Sequence, residues 1–401
     1  MVDGSTRLHA SASPPIIGLT GSVDINTLWW TQNRTALFQL EAVVNWSWCD
    51  LIVLIHSMKA RDAMADYKVI DADGHVRESI AGMREFLEPR WQRRNLFPND
   101  AWDRDLRGKL GAKPGGPEDQ IAAMDEDGID VMVLYPTAGL HVGSLHERDF
   151  ATAVTRAYND WLHHFCKTDP ARLKFVALLA PQDPKAAAEE LTRAVTERGA
   201  LAGVLPTYVP HMPDFGDSLY DPIYAAAERL GVGLGFHTGT SADSLGGRRF
   251  RKFLSAHTID HPAEQMMALI ATIVGGVFER FPALRIAYLE SGIGWVPYMM
   301  DRLDEEVEKR GADEASYLTK LPSEYVTGGR IFFGIECGEK TIPDAVRWGL
   351  DHTLLYSSDY PHWDGDWPHT ISTVRERKDL SDGTKQRMLH DNVARFYKLA
   401  D

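Results

Sequence analysis

The chain has 401 residues, 44% hydrophobic and 25% charged, with a formal net charge of −14. This suits a globular protein with a large core, and an acidic balance without a long Lys/Arg block argues against a nucleic-acid surface. The three cysteines (Cys49, Cys166 and Cys337) are far apart and lack CxxC spacing, so they give no disulfide framework and fit a reducing, cytoplasmic setting. No segment reaches the ~18–20 apolar residues of a membrane span. The most apolar stretch near the front, WSWCDLIVLIH at 46–56, is too short for one and lacks the basic lead of a signal peptide.

Residues 1–63 read as an N-terminal extension, foreign to the rest of the chain and expected to be poorly ordered. MVDGSTRLHASASPPIIGLTGSVDINTLWW shows no sustained period, and a regular pattern begins only at MADYKVIDADGH. Met58 and Met64, just ahead of it, are candidate starts; a small N-terminal subdomain is the competing reading. From 64 to 401 the chain alternates short apolar runs with helical stretches. The runs are YKVIDADGH (67–75), IDVMVLYP (129–136), LKFVALLAP (173–181), LAGVLPTY (201–208), GLGFHTG (233–239), LRIAYLESG (284–292), RIFFGIEC (330–337) and HTLLYSSDYPH (352–362). Amphipathic segments such as DPKAAAEELTRAVTERG and PAEQMMALIATIVGGVFERFP lie between most of them, with Pro near the start and Gly or Pro at the end. Continuous apolar strands separated by helices imply parallel pairing under a helical cover. Eight such units predict an α/β fold, a (β/α)8 barrel with insertions, since the fold needs ~250 residues without them. The largest insertion, 76–128, comes after the first strand and is a candidate lid over the barrel mouth.

The strand ends carry the chemistry. Residues two apart on a strand face the same way, so Asp73 and His75 in DADGH point together. Strand five ends in His237, strand six in Glu290 and strand eight in Asp359, and a barrel brings such tips to one mouth. Two imidazoles with two or three carboxylates make a ligand set for Zn2+ or another divalent first-row ion. Taken singly, each has a plainer explanation: a strand-end His is often scaffolding, and an Asp after a strand is often a helix N-cap. Taken together at four tips of one barrel, the metal reading is preferred.

These residues carry a resemblance. The chain resembles the amidohydrolase superfamily, in the amidohydrolase-related branch typified by aminocarboxymuconate-semialdehyde decarboxylase. The likeness covers about 66–398 and rests on VIDADGHVRE, GFHTG, GGVFERFPALRIAYLESGIGWVPYMMDRLDE and SSDYPHWDG. It implies metal ligands at Asp73 and His75 (where the family's Asp-x-His-x-His motif falls), at His237 and at Asp359. Two departures stand out. Asp73 puts a short carboxylate at the first ligand position, which hardens the site and admits Mn2+ or Fe2+ beside Zn2+. Glu290 stands where the decarboxylases carry a catalytic His. Strand four ends VLPTYV without the lysine of binuclear relatives, so one divalent ion is expected.

The resemblance implies a metal-bound water activated near neutral pH, with Asp359 as a catalytic proton carrier. Glu290 is read as a second catalytic acid/base group, its competing roles being an extra metal ligand or a buried carboxylate paired with an Arg. The leading expectation is a mononuclear metal-dependent hydrolase of a small aromatic or unsaturated carboxylate, amide or lactone. The alternative is a non-oxidative decarboxylase of an aromatic or muconate-type acid, and the third reading a barrel that only binds its ligand. Trp295, His362 and Arg302 are candidate substrate-binding residues; Trp295 otherwise packs a loop, and Arg302 otherwise pairs with Glu305 or Glu306 one turn on. The expected partners are a small-molecule substrate and a second copy in a homodimer, with no nucleic acid and no membrane. Because the periodic core begins at residue 64, a chain shortened to start at Met64 is expected to keep its full unfolding transition and its activity. A large loss of stability, measured by denaturant titration, would make 1–63 integral to the fold.

Overall fold

The runs predicted as strands lack the in-and-out alternation of a half-exposed sheet, and their burial shows why: every residue of β1 (Ile70–Val76) is inside the protein. The computed structural model describes residues 67–98 and 115–399. The expected extension over 1–63 lies outside the described residues, as does 99–114 of the insertion.

After β1 come β2 (Val131–Pro136), β3 (Leu173–Phe175), β4 (Ala177–Leu178), β5 (Ala202–Pro206), β6 (Gly233–His237), β7 (Arg285–Tyr288), β8 (Ile331–Ile335) and β9 (Leu354–Tyr356). All pairings are parallel, in the orders β1-β2-β3 and β4 to β9. The single predicted run 173–181 supplies both β3 and β4. Val176 between them still donates to the Leu134 carbonyl at 3.2 Å, and Leu179 donates to Val204 at 3.1 Å, so the two pieces form one stave joining both sheets. The ring closes between its ends, where Asp359 N donates to the Asp73 carbonyl at 3.3 Å and His75 N to the Tyr360 carbonyl at 2.7 Å. This is the eight-staved (β/α)8 barrel the sequence predicts.

Helices cover the staves from outside: α1 (Pro117–Asp127), α2 (Arg148–Cys166), α3 (Pro184–Arg193), α4 (Asp221–Leu230), α5 (Phe253–Val274), α6 (Val296–Glu314) and α7 (Asn392–Tyr397) among them. Their ends are set by the sequence. Pro184 opens α3 behind Asp183, whose carboxylate accepts from Ala186 N at 3.1 Å. Gly231 closes α4 at a φ of 69°, a conformation glycine adopts without strain. Phe236, Tyr288 and Phe333, side by side on β6, β7 and β8, stack at 5.9 and 5.8 Å. The Tyr288 hydroxyl meets Thr272 of α5, which places this stack between barrel and helices. The described part of the insertion packs down: Trp91, Leu96 and Phe97 are buried, and Trp91 rests on Phe150 of α2 at 5.3 Å.

One buried carboxylate ties the closing seam. Asp71 Oδ1 accepts from the backbone N–H groups of Asp73 and Ser358, both at 3.1 Å, and Oδ2 accepts from the Ser358 hydroxyl at 2.5 Å. Leaving three buried donors unsatisfied is costly, so Asp71→Ala is expected to lower stability by about 2–4 kcal/mol. The check is a lower denaturant midpoint at an unchanged m-value.

Candidate metal centre

The stave ends deliver their side chains to one mouth. On β1, Asp73 and His75 flank Gly74, where a Cβ would come within 2.6 Å of the Met132 side chain, so any larger residue would force Met132 to shift. β6 ends in His237, the turn after β7 carries Glu290, and the turn after β9 carries Asp359. Each imidazole is oriented by its far nitrogen: His75 Nδ1 lies 2.8 Å from the Pro136 carbonyl, and His237 Nδ1 lies 3.0 Å from that of Thr238. A carbonyl only accepts, so both Nδ1 atoms carry the proton and both Nε2 lone pairs face the mouth.

The Nε2 atoms meet carboxylates there. His75 Nε2 is 3.6 Å from Asp73 Oδ1, 3.3 Å from Asp359 Oδ1 and 3.9 Å from Glu290 Oε2. His237 Nε2 is 3.4 Å from Asp73 Oδ2 and 3.1 Å from Glu290 Oε2. Donor atoms of Asp73, His75 and His237 all lie within 4.8 Å of one another, and so do those of His75, Glu290, Asp359 and His362. Both Asp73 oxygens, both Nε2 atoms and Glu290 Oε2 are buried and make no hydrogen bond. Five such atoms converging on one space suit a cation of the 2+ type, which takes N and O donors at ~2.0–2.2 Å in the case of zinc. The donor set fits the ion that the sequence implies.

Without a cation the cluster holds protons instead. Burial and then the Asp359 charge push Glu290 up to about 8. Burial, reinforced by Asp364 and Glu336, raises Asp359 well above the carboxylate range. Burial opposes charge on His237, but the Asp73 and Glu290 carboxylates outweigh it and raise its proton affinity well above the usual imidazole value. His75 moves the other way, held neutral by burial and by His362 and His237 beside it. Glu290 and Asp359 also have left-handed backbones, φ 50° and 53°, a conformation that costs ordinary residues energy and gathers at functional sites.

Of the remaining candidates, His362 is in the site. Its ring centroid is 4.1 Å from that of His75, Nδ1 lies 2.7 Å from Asp359 Oδ1, and Nε2 lies 3.0 Å from Thr137 Oγ1. Trp295 is packed behind the mouth, edge-on to Phe333 at 5.7 Å, with Nε1 donating to Ser291 Oγ at 3.3 Å. Arg302 is not brought to the site. It is exposed on α6 and paired with Glu305 at 2.9 Å and with Glu306, because one helical turn brings those acids within reach. Three contributors are not among the residues that sequence singles out. His261 of α5 places Nδ1 3.3 Å from Glu290 Oε1, and His257 lies one turn before it. Glu78 accepts from the N–H groups of Thr137, Ala138 and Gly139 and so fixes the turn that holds His362. The HTIDH spacing is the available signal for the first two; Glu78 has none.

The family model described as amidohydrolase matches residues 70–399. The chain is 27% identical over 296 residues to gamma-resorcylate decarboxylase of Rhodococcus jostii (strain RHA1), covering 70% of this chain and 87% of that protein. It is 24% identical over 286 residues to 2-amino-3-carboxymuconate-6-semialdehyde decarboxylase of Dictyostelium discoideum, covering 71% and 77%. The fold is shared with 5-carboxyvanillate decarboxylase from Novosphingobium aromaticivorans, solved with manganese and 4-hydroxy-3-methoxy-5-nitrobenzoic acid. That likeness has a TM-score of 0.65 at 21% identity and covers 83% of this chain and 97% of that one.

An ion entering the cluster must displace the protons that Asp359 and His237 hold. Calorimetric titration with Mn2+ or Zn2+ in buffers of different ionisation enthalpy is therefore expected to show net proton release, and affinity should rise with pH. Asp73→Ala and His237→Ala should each weaken binding beyond the ~10–100-fold that loss of an outer partner costs. Unchanged affinity in both would remove the centre.

Proposed function

The chain belongs to the amidohydrolase family, and from that premise and its site we propose that it is a metal-dependent, non-oxidative decarboxylase of a small aromatic or unsaturated acid. On sequence alone hydrolysis leads and decarboxylation stands second. The named activities of the Rhodococcus and Dictyostelium relatives support the second instead. The observation that carries the choice is that both of these relatives are decarboxylases by name. Decarboxylation needs an acid to protonate carbon, and Glu290, with Oε2 3.1 Å from His237 Nε2 and a proton affinity raised by burial, stands at the edge of the cluster as that acid.

In this reading Asp73, His75, His237 and Asp359 hold the ion, which supplies a Lewis acid for a substrate carboxylate and an adjacent oxygen. The carboxylate-rich donors, and the manganese in the Novosphingobium enzyme, support Mn2+ alongside the Zn2+ expected from sequence. Glu290 gives its proton to the carbon that bears the carboxylate. The bond from that carbon to the carboxylate then breaks, its electron pair returns to the unsaturated system, and CO2 leaves. Glu290 regains a proton from solvent. His362, held between Asp359 and Thr137, lines the mouth where the substrate enters.

The test is product analysis on metal-loaded protein with hydroxybenzoates and muconate-type acids labelled at the carboxyl carbon. Labelled CO2 and a product one carbon shorter are expected; incorporation of solvent oxygen without CO2 would return the reaction to hydrolysis. Glu290→Gln should keep the ion on the stave tips and the substrate affinity while turnover falls by about 10²–10⁴-fold, the usual worth of a general acid. Full turnover in that variant would leave Asp359 as the proton carrier.

A further inference from the structure

Helix α5 carries a group that the decarboxylation scheme does not use. His257 and His261 are four residues apart in HTIDH, so both imidazoles stand on one helix face, with ring centroids 4.4 Å apart. His261 reaches the side of Glu290 that faces away from the stave tips: its Nδ1 is 3.3 Å from Oε1 and 3.0 Å from the Glu290 carbonyl oxygen. The other carboxylate oxygen, Oε2, is the one 3.1 Å from His237. One donor atom each from His257, His261 and Glu290 lies within 4.8 Å of the other two. Asp364, in the turn after β9, brings Oδ2 to 3.4 Å from His257 Nε2. Phe253 and Trp363 flank the His257 ring at 5.0 and 5.6 Å.

We propose that His257, His261, Glu290 and Asp364 form a second divalent-cation site that shares the Glu290 carboxylate with the centre on the stave tips. Two histidines at i and i+4 on a helix, completed by carboxylates, are a recurrent first-row metal arrangement. The donors are two imidazoles and two carboxylates, a mixed N/O set suited to Zn2+ or Mn2+. Unlike the inner cluster, this one opens to water, since the side chains of His257 and Asp364 are 23% and 27% exposed. It therefore binds more weakly and fills second.

Metal content tests the site directly. Equilibrium dialysis of the full chain against Zn2+ or Mn2+, read by elemental analysis, should show two ions per chain with distinct affinities. His257→Asn and the double change His257→Asn/His261→Asn should lose the weaker ion and keep the tighter one, which also reports that the barrel is folded. Saturation at one ion, or a second ion that persists in the double variant, would overturn the proposal.

Discussion

Three carboxylates buried beside one another are the constraint around which this barrel is arranged. Asp73, Glu290 and Asp359 meet at a mouth where little water reaches them. Two like charges ~4 Å apart cost ~4 kcal/mol at an effective dielectric of 20. Set against the ~5–15 kcal/mol by which a typical domain is stable, such a cluster needs compensation. Protons supply it in part, as the upward shifts at Glu290 and Asp359 show. A dication supplies it more fully, because it meets the orphaned oxygens and both Nε2 atoms at once. Occupation by an ion and stability of the mouth are in this sense the same quantity.

Holding repelling groups together requires a frame that does not yield, and the closing seam provides it. Asp71 bonds Ser358 across the seam, while Ser357 Oγ and Asp359 N both reach the Asp73 carbonyl. The stave ends bearing Asp73 and Asp359 are thereby fixed to each other rather than merely adjacent. Backbone carbonyls at Pro136 and Thr238 fix the two imidazoles, and Glu78 fixes the turn that carries Thr137 to His362. The two imidazoles and Asp359, which meets His362, thus each have an outer partner that holds their orientation, whereas the Asp73 carboxylate has none among the described residues.

What sequence could reveal divides along physical lines. The buried parallel staves and their order were legible because their apolar runs are continuous and punctuated by helices. Asp73, His75, His237 and Asp359 were legible because a strand's period of two and a barrel's shared mouth place them together without further information. Asp71 was not: its role comes from Ser358, 287 positions away, and locally DADG offers two aspartates with nothing to tell clamp from ligand. His261 was hidden differently. It sits in a segment whose apolar face dominates the pattern, and only the packing of α5 against the turn after β7 brings it to Glu290. Trp295 and Arg302 each admit two roles from sequence, substrate contact or packing and ion pairing; the geometry places them in the latter settings.

The position of Glu290 lets one carboxyl face two groups of histidines. Its left-handed backbone turns the carboxylate so that one oxygen faces His237 and the other faces His261. Burial and the Asp359 charge both favour the protonated form of a carboxyl placed in this way. An adjacent dication would lower the proton affinity of a carboxyl and of an imidazolium alike, since each loses one unit of positive charge on deprotonation, so it is the burial of Glu290 that works to keep its proton in place.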